Sequence, residues 1–211
     1  MTGHYITIEG PEGCGKSTQV ILLKKYLEGQ GLNVVNTKQP GGTPVGADIR
    51  EIILHPKNPL LPKVESMLFW ADRYLHYETF VKPMLKSNYI VIGDRDLDSS
   101  WAYQHYARGI EKEWMEQIQE LTIGDFRPGL TIAYVGNVNI FLDRIKSRYQ
   151  TGGEITHFDN ETKWFHNEVI NGFKSLAKEN PRIKLVQADR DISSVFKETK
   201  EIVNQFLEDR L

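Results

Sequence analysis

From Gly10 to Ser17 the chain reads GPEGCGKS, with three glycines leading into an ammonium and a hydroxyl. Gly10, Gly13 and Gly15 have no Cβ, so the backbone can turn successive N–H groups into one concavity that attracts anions. A helix starting at the end of such a loop adds its unpaired N–H groups and the positive end of its dipole. Lys16 adds a mobile charge, and the Ser17 hydroxyl suits Mg²⁺. The pattern G-x-x-x-x-G-K-[ST] is complete, which predicts binding of a nucleoside triphosphate such as ATP.

The loop can do this only between a strand and a helix. Residues 6–9 alternate β-branched and polar side chains, while Val20, Leu23 and Leu27 recur at helical spacing. Further strands are predicted over 32–37, 89–92, 130–135 and 183–186, each separated by helical patterns. Five strands alternating with helices give an α/β fold in three layers, α/β/α, around a parallel sheet. Ligands then bind at the carboxyl ends of the strands. A length of 211 residues suits one domain, 1–211, and the polar, glycine-containing segment 149–160 reads as a mobile lid.

Lys plus Arg (26) and Asp plus Glu (28) nearly cancel to a net charge of −2, which gives no reason to expect a nucleic-acid surface or an anionic membrane as partner. No apolar run approaches the length of a membrane span. Cys14 is the only cysteine, and no secretory pattern precedes Tyr5, so the expected compartment is the cytoplasm. Cys14 itself has two readings. Neighbouring N–H donors could lower its thiol pKa, or it is simply a small space-filling residue.

Other side chains fall where ligands are expected. Asp94 closes the run YIVIGD and would meet a Mg²⁺–ATP complex beside the phosphate loop, or else cap the next helix. Arg95 offers a planar charged fork for a second phosphate, or a surface ion pair. Phe69 and Arg73 lie four apart on one helix over about 64–86, where an aromatic face can stack on a base and a guanidinium can bond its edge, although Phe69 alone reads as a core aromatic. Ser100, Tyr103 and Gln104 share a helical face and could line the same pocket.

In order and spacing, GPEGCGKST, QPGGTPVGADIR, MLFWADRY, GDRDLDSSWAYQHYARG and DFRPGLTI resemble the bacterial type of the thymidylate kinase family over almost the whole chain. The resemblance implies a nucleoside monophosphate kinase domain of the P-loop NTPase type, moving the γ-phosphoryl group of ATP to dTMP with Mg²⁺. It places Gly10, Glu12, Gly13, Cys14, Gly15, Lys16, Ser17 and Thr18 around ATP, with Lys16, Asp94 and Arg95 in phosphoryl transfer and Ser17 and Asp94 near the metal. Arg50 and Arg95 would hold the acceptor phosphate and Phe69 would stack on the base. Arg73, Ser100 and Gln104 would bond the base edge, while Tyr103 and Glu12 would face the deoxyribose. The family is homodimeric.

Three positions depart from the family pattern. The usual lid arginine falls on His157, with Arg148 as the other candidate cation. The usual DRY is DRD, so Asp96 would lie beside the acceptor site unless it faces solvent, which is the simpler reading; the usual Arg-Glu before PGGT is Lys38-Gln39. These changes keep two alternatives open: a dUMP or broad deoxypyrimidine monophosphate kinase, and a P-loop protein that binds nucleotide without kinase activity. No N/T-K-x-D guanine-reading motif is present, so a GTPase is not favoured.

Overall fold

The structure is a computed structural model, and it describes residues 3–55, 60–152 and 156–210. Strand β1 (Tyr5–Glu9) runs through the glycine-rich loop into α1 (Lys16–Gly29), followed by β2 (Val34–Lys38), α2 (Pro44–Leu54) and α3 (Pro62–His76). After a widened turn at Tyr77–Val81 come α4 (Lys82–Lys86), β3 (Ile90–Asp94) and α5 (Leu97–Ser100), which widens again over Trp101–Ala107. The remaining elements are α6 (Lys112–Ile123), β4 (Leu130–Val135), α7 (Val138–Gln150), a short turn at Phe158–Asn160, α8 (Lys163–Glu179), β5 (Ile183–Gln187) and α9 (Ile192–Glu208).

The five strands pair in parallel in the order β2-β3-β1-β4-β5. The predicted strands are those observed, with ends shifted by one or two residues. Every residue of β1 and β4 is buried, whereas the edge strands β2 and β5 bury only some positions. Central strands of a doubly covered sheet are expected to be nearly continuously apolar, and Leu130–Val135 is apolar apart from Thr131, whose hydroxyl bonds to Asp98. Two apolar clusters pack against the sheet: the larger, with Leu23, Ile132 and Phe173, draws residues from both faces, and the smaller gathers around Trp70, Val91 and Met115.

The order of the sheet puts β1 between β3 and β4, so the carboxyl ends of β1 and β3 lie side by side with Ile8 opposite Asp94. The loop after β1 and the acid ending β3 therefore meet at one mouth. The single helix predicted over 64–86 is interrupted: Lys82 N–H donates to Tyr77 O, five residues back. Pro83 has no N–H to return to the preceding turn, which accounts for the widening. The same five-residue reach recurs where Arg108 N–H donates to Tyr103 O at 2.9 Å, in the segment carrying Tyr103 and Gln104.

Candidate functional site

The glycines of the loop occupy backbone conformations that side chains disfavour, with φ of +141° at Gly10, +74° at Gly13 and +99° at Gly15. At Gly13 space is also lacking, since a Cβ would lie 2.3 Å from Phe141 O. At Gly15 a Cβ would meet nothing within 4 Å. Gly13→Ala is therefore expected to cost at least about 2 kcal/mol and to weaken ATP binding, while Gly15→Ala costs only about 1 kcal/mol of backbone strain. Thermal unfolding and nucleotide titration of the two variants check this.

Inside the loop, Lys16 Nζ donates to Gly10 O (2.9 Å) and Pro11 O (2.7 Å). Cys14 is buried, and burial pushes its thiol pKa up against the pull of Lys16 and Arg95, so its space-filling reading holds over an activated thiolate. At the start of α1, Ser17 Oγ donates to Asp94 Oδ2 at 2.7 Å. A hydroxyl and a carboxylate are hard oxygen donors that suit Mg²⁺. Among the described residues no cluster of three His, Cys, Asp or Glu could hold a metal by itself, so this pair fits an ion carried mainly by nucleotide phosphates and water.

Arg95 follows β3 with φ of +68°, an uncommon conformation for a side-chain-bearing residue. Three contacts hold it there: Nη1 donates to Gly10 O (2.8 Å) and Ser99 Oγ (3.1 Å), and Nη2 to Glu12 Oε1 (2.5 Å). Tyr103 Oη donates to the other oxygen of Glu12 at 2.7 Å, and His166 Nδ1 lies 3.7 Å from it. Burial pushes the Glu12 carboxyl up, but Arg95, Lys16 and His166 outweigh it and hold its pKa down at about 2. Glu12, Arg95 and Tyr103 thus form one unit at the loop.

A cavity of about 850 Å³ opens from this unit in two directions. On one side it is lined by Arg50, Phe69, Arg73, Ser100 and Gln104, and on the other by Thr18, Arg144, Arg148 and Arg190. Arg50 Nη1 donates to Pro40 O at 3.1 Å, and Phe69 packs 6.2 Å from Phe158. Arg73 Nη1 and Ser100 Oγ are buried with no protein partner among the described residues, two polar atoms left over for a ligand.

Asp96 does not face solvent. It is fully buried, accepting from Tyr77 Oη at 2.6 Å and from Arg73 Nε at 3.3 Å. Helix α3 and the turn after it bring Arg73 and Tyr77 over this position and enclose it. Burial pushes its carboxyl pKa up, while Arg73 pulls it down. Gln39 Oε1 also accepts from Arg73 Nε, at 2.9 Å, so Arg73 has one amide and one carboxylate behind it.

The lid candidates separate. Arg148 lines the cavity and donates to Asp159 Oδ1 at 2.6 Å, while His157 does not line it. His157 Nε2 lies 3.2 Å from both Glu65 Oε2 and Arg108 Nη2. Of the lid expected over 149–160, residues 153–155 lie outside the described residues.

Several residues had no signal in the sequence. Arg144, from α7, donates to Ala188 O (2.7 Å) and Arg190 O (3.0 Å) and clamps the loop after β5. Glu9 ends β1 under Arg95, its Oε1 accepting from Asp96 N (2.7 Å) and Ser99 N (3.3 Å). Burial, then the charge of Asp98, pushes its pKa up to about 8, against the Ser99 hydrogen bond and Arg95. Between pH 4.5 and about 8 the folded chain holds a proton on Glu9 that the unfolded chain has released, so the Glu9 contribution to stability falls as pH rises; below 6.5 buried His76, pushed down to about 4, contributes the opposite slope, and the fall due to Glu9 stands alone between 6.5 and about 8. The slope from one proton is at most about 1.4 kcal/mol per pH unit. Glu9→Gln is expected to remove this slope in urea unfolding measured from pH 6.5 to 8.

Comparison with known proteins gives consistent results. A family model described as Thymidylate kinase matches residues 8–199. A thymidylate kinase of Halothermothrix orenii is 37% identical over 198 residues, covering 94% of this chain and 95% of the relative. One of Syntrophotalea carbinolica is 40% identical over 195 residues, covering 90% of each. A crystal structure of thymidylate kinase from Ehrlichia chaffeensis superposes with a TM-score of 0.76 at 31% identity, covering 97% of this chain and 99% of the other.

Proposed function

This chain belongs to the thymidylate kinase family, and from that premise we propose that it transfers the γ-phosphoryl group of ATP to dTMP, giving dTDP and ADP. The observation that carries the reading is one cavity joining a complete phosphate loop to a second pocket that combines an aromatic ring, Phe69, with the partnerless polar atoms Arg73 Nη1 and Ser100 Oγ. A protein that only held or hydrolysed nucleotide has no use for the second pocket. Arg108 and Arg148 both stand near the expected lid, so His157 in place of an arginine does not by itself remove cationic chemistry there.

The division of labour follows from what phosphoryl transfer needs: in-line positioning and neutralised charge, with little covalent chemistry for the protein. The loop N–H groups and Lys16 hold the ATP phosphates, with Thr18 beside them. Ser17 and Asp94 would hold Mg²⁺, which supplies charge neutralisation between donor phosphates. Arg95 and Arg50 bind the acceptor phosphate. Tethered by Glu12 and backed by Gly10 O, Arg95 enters the reaction already oriented, so little ordering remains when the acceptor binds. Phe69 stacks on the base, and Tyr103, fixed on Glu12, packs against the sugar. The acceptor oxygen is a phosphate oxygen largely deprotonated near neutrality, so no general base is assigned.

The reading includes a homodimer in the cytoplasm. Val64, Met67, Ala71 and Tyr74 form an exposed stripe on α3, beside Val45 and Ile52 on α2, an apolar face that a second copy would cover. Sedimentation at micromolar concentration tests it. The catalytic reading is tested by ADP production with Mg²⁺–ATP against dTMP, dUMP, dCMP, dGMP and dAMP. Turnover led by dTMP is the expected result, and equal turnover of dUMP would replace it with the broader pyrimidine specificity. No acceptor dependence would reduce the chain to a nucleotide binder.

A further inference from the structure

Behind the second pocket, and not lining it, sits a buried carboxylate with an unusual set of partners. Glu65, on α3, is 2% exposed. Its Oε1 accepts from Gln104 Nε2 at 2.9 Å, and its Oε2 lies 3.3 Å from Arg108 Nη2 and 3.2 Å from His157 Nε2. Arg108 is in turn anchored by Glu161, at 2.6 Å from Nη1. Burial pushes the Glu65 pKa up, but the hydrogen bonds and charge of His157, Arg108 and Gln104 outweigh this and hold it below the usual carboxylate value.

An ionised carboxylate can only accept hydrogen bonds. The Gln104 amide must therefore turn Nε2 toward Glu65, which leaves Oε1 as its free group at the cavity that Gln104 lines. Arg73 lines the same pocket with Nη1 partnerless, and a guanidinium can only donate. The pocket thus offers one fixed acceptor and one fixed donor. A thymine or uracil edge presents the complement, O4 as acceptor and N3–H as donor. Cytosine presents the reverse, an amino donor at C4 and a bare N3 acceptor. If Gln104 could flip, its amide nitrogen would serve the cytosine N3 and half of the mismatch would disappear.

We propose that Glu65 is a specificity-determining positioning residue, which locks the Gln104 amide in the orientation that admits 4-keto pyrimidine monophosphates and rejects the 4-amino kind. This rests on the kinase reading above. The lock is built from three chain segments, since Glu65 comes from α3, Gln104 from the widened turn after α5 with Arg108 just past its end, and His157 from the segment before α8. Discrimination against the amino base therefore depends on residues that never touch it.

The test compares kcat/KM for dTMP and dCMP in the full chain and in Glu65→Gln, with thermal unfolding recorded for each. An amide at position 65 can donate as well as accept, so Gln104 is released. The dTMP-to-dCMP ratio of kcat/KM is expected to fall at least tenfold, through a higher KM for dTMP with kcat little changed. The double variant Glu65→Gln with Gln104→Glu restores a one-way bond of reversed polarity and keeps an acceptor at the cavity. It is expected to return the ratio to within threefold of the starting chain, and it serves as the test if the single variant does not fold. A single variant that folds, turns over dTMP and keeps its ratio overturns the inference and leaves the kinase reading intact. A double variant that fails to recover discrimination also overturns it. Failure of the unmodified chain to turn over dTMP removes the kinase reading and this inference with it.

Discussion

Lys16→Met is expected to lower kcat/KM for phosphoryl transfer by about three orders of magnitude while leaving the fold in place. The ammonium is held at the mouth of the loop by two carbonyls, Gly10 O and Pro11 O, at 2.9 and 2.7 Å. From there it has only to exchange those partners for phosphate oxygens, so its charge is available where charge develops during transfer. Removing one preorganised donor of this kind typically costs about 10²–10³-fold. Methionine retains most of the side-chain volume in a residue only 7% exposed, so packing against the loop is largely kept. Steady-state kinetics and ATP titration check it: kcat falls steeply while ATP affinity changes far less. A loss below tenfold would mean that Lys16 does not reach the transferring group.

The second large effect is on stability. Arg73 and Asp96 are 2% and 0% exposed in their side chains and meet across 3.3 Å, so Arg73→Met leaves an uncompensated carboxylate in the interior. Breaking such a pair from one side costs about 3–5 kcal/mol. In a chain of 211 residues that corresponds to a fall in Tm of roughly 10 °C. The acceptor KM rises as well, because Nη1 is lost from the pocket. Adding Asp96→Asn removes the stranded charge and is expected to recover a large part of the stability but none of the acceptor affinity. A double-mutant cycle by calorimetry with an interaction of about 1–3 kcal/mol supports the pairing, and strict additivity contradicts it.

How much of this could be read from the sequence depends on how far apart the interacting residues are. Gly10 to Ser17 form a contiguous unit whose glycine positions specify their own backbone, so the phosphate loop was fully legible. The strands were legible too, because residues 130–135 and 89–92 are apolar runs of strand length. Asp96 has no local signal, because the groups that enclose it, Arg73 and Tyr77, come from 23 and 19 positions earlier in the chain. The tether between Arg95 and Glu12 spans 83 positions and that between Glu65 and Gln104 spans 39, and neither has a spacing rule. The widened turn at Trp101–Ala107 places Tyr103 and Gln104 differently from the regular helix that their spacing suggests. Arg144 and Arg190 belong to no motif in the sequence, and only the packing of α7 and of the segment after β5 brings them to the cavity.

A phosphoryl group that passes between two nucleotides can be followed directly. ATP labelled in its γ-phosphate is incubated with Mg²⁺, the protein and dTMP, and the label is located by chromatography. The label is expected in dTDP, in step with ADP, and omitting dTMP is expected nearly to abolish ADP release. Label recovered as inorganic phosphate at a rate independent of dTMP would contradict it, because the second pocket would then have no part in the reaction.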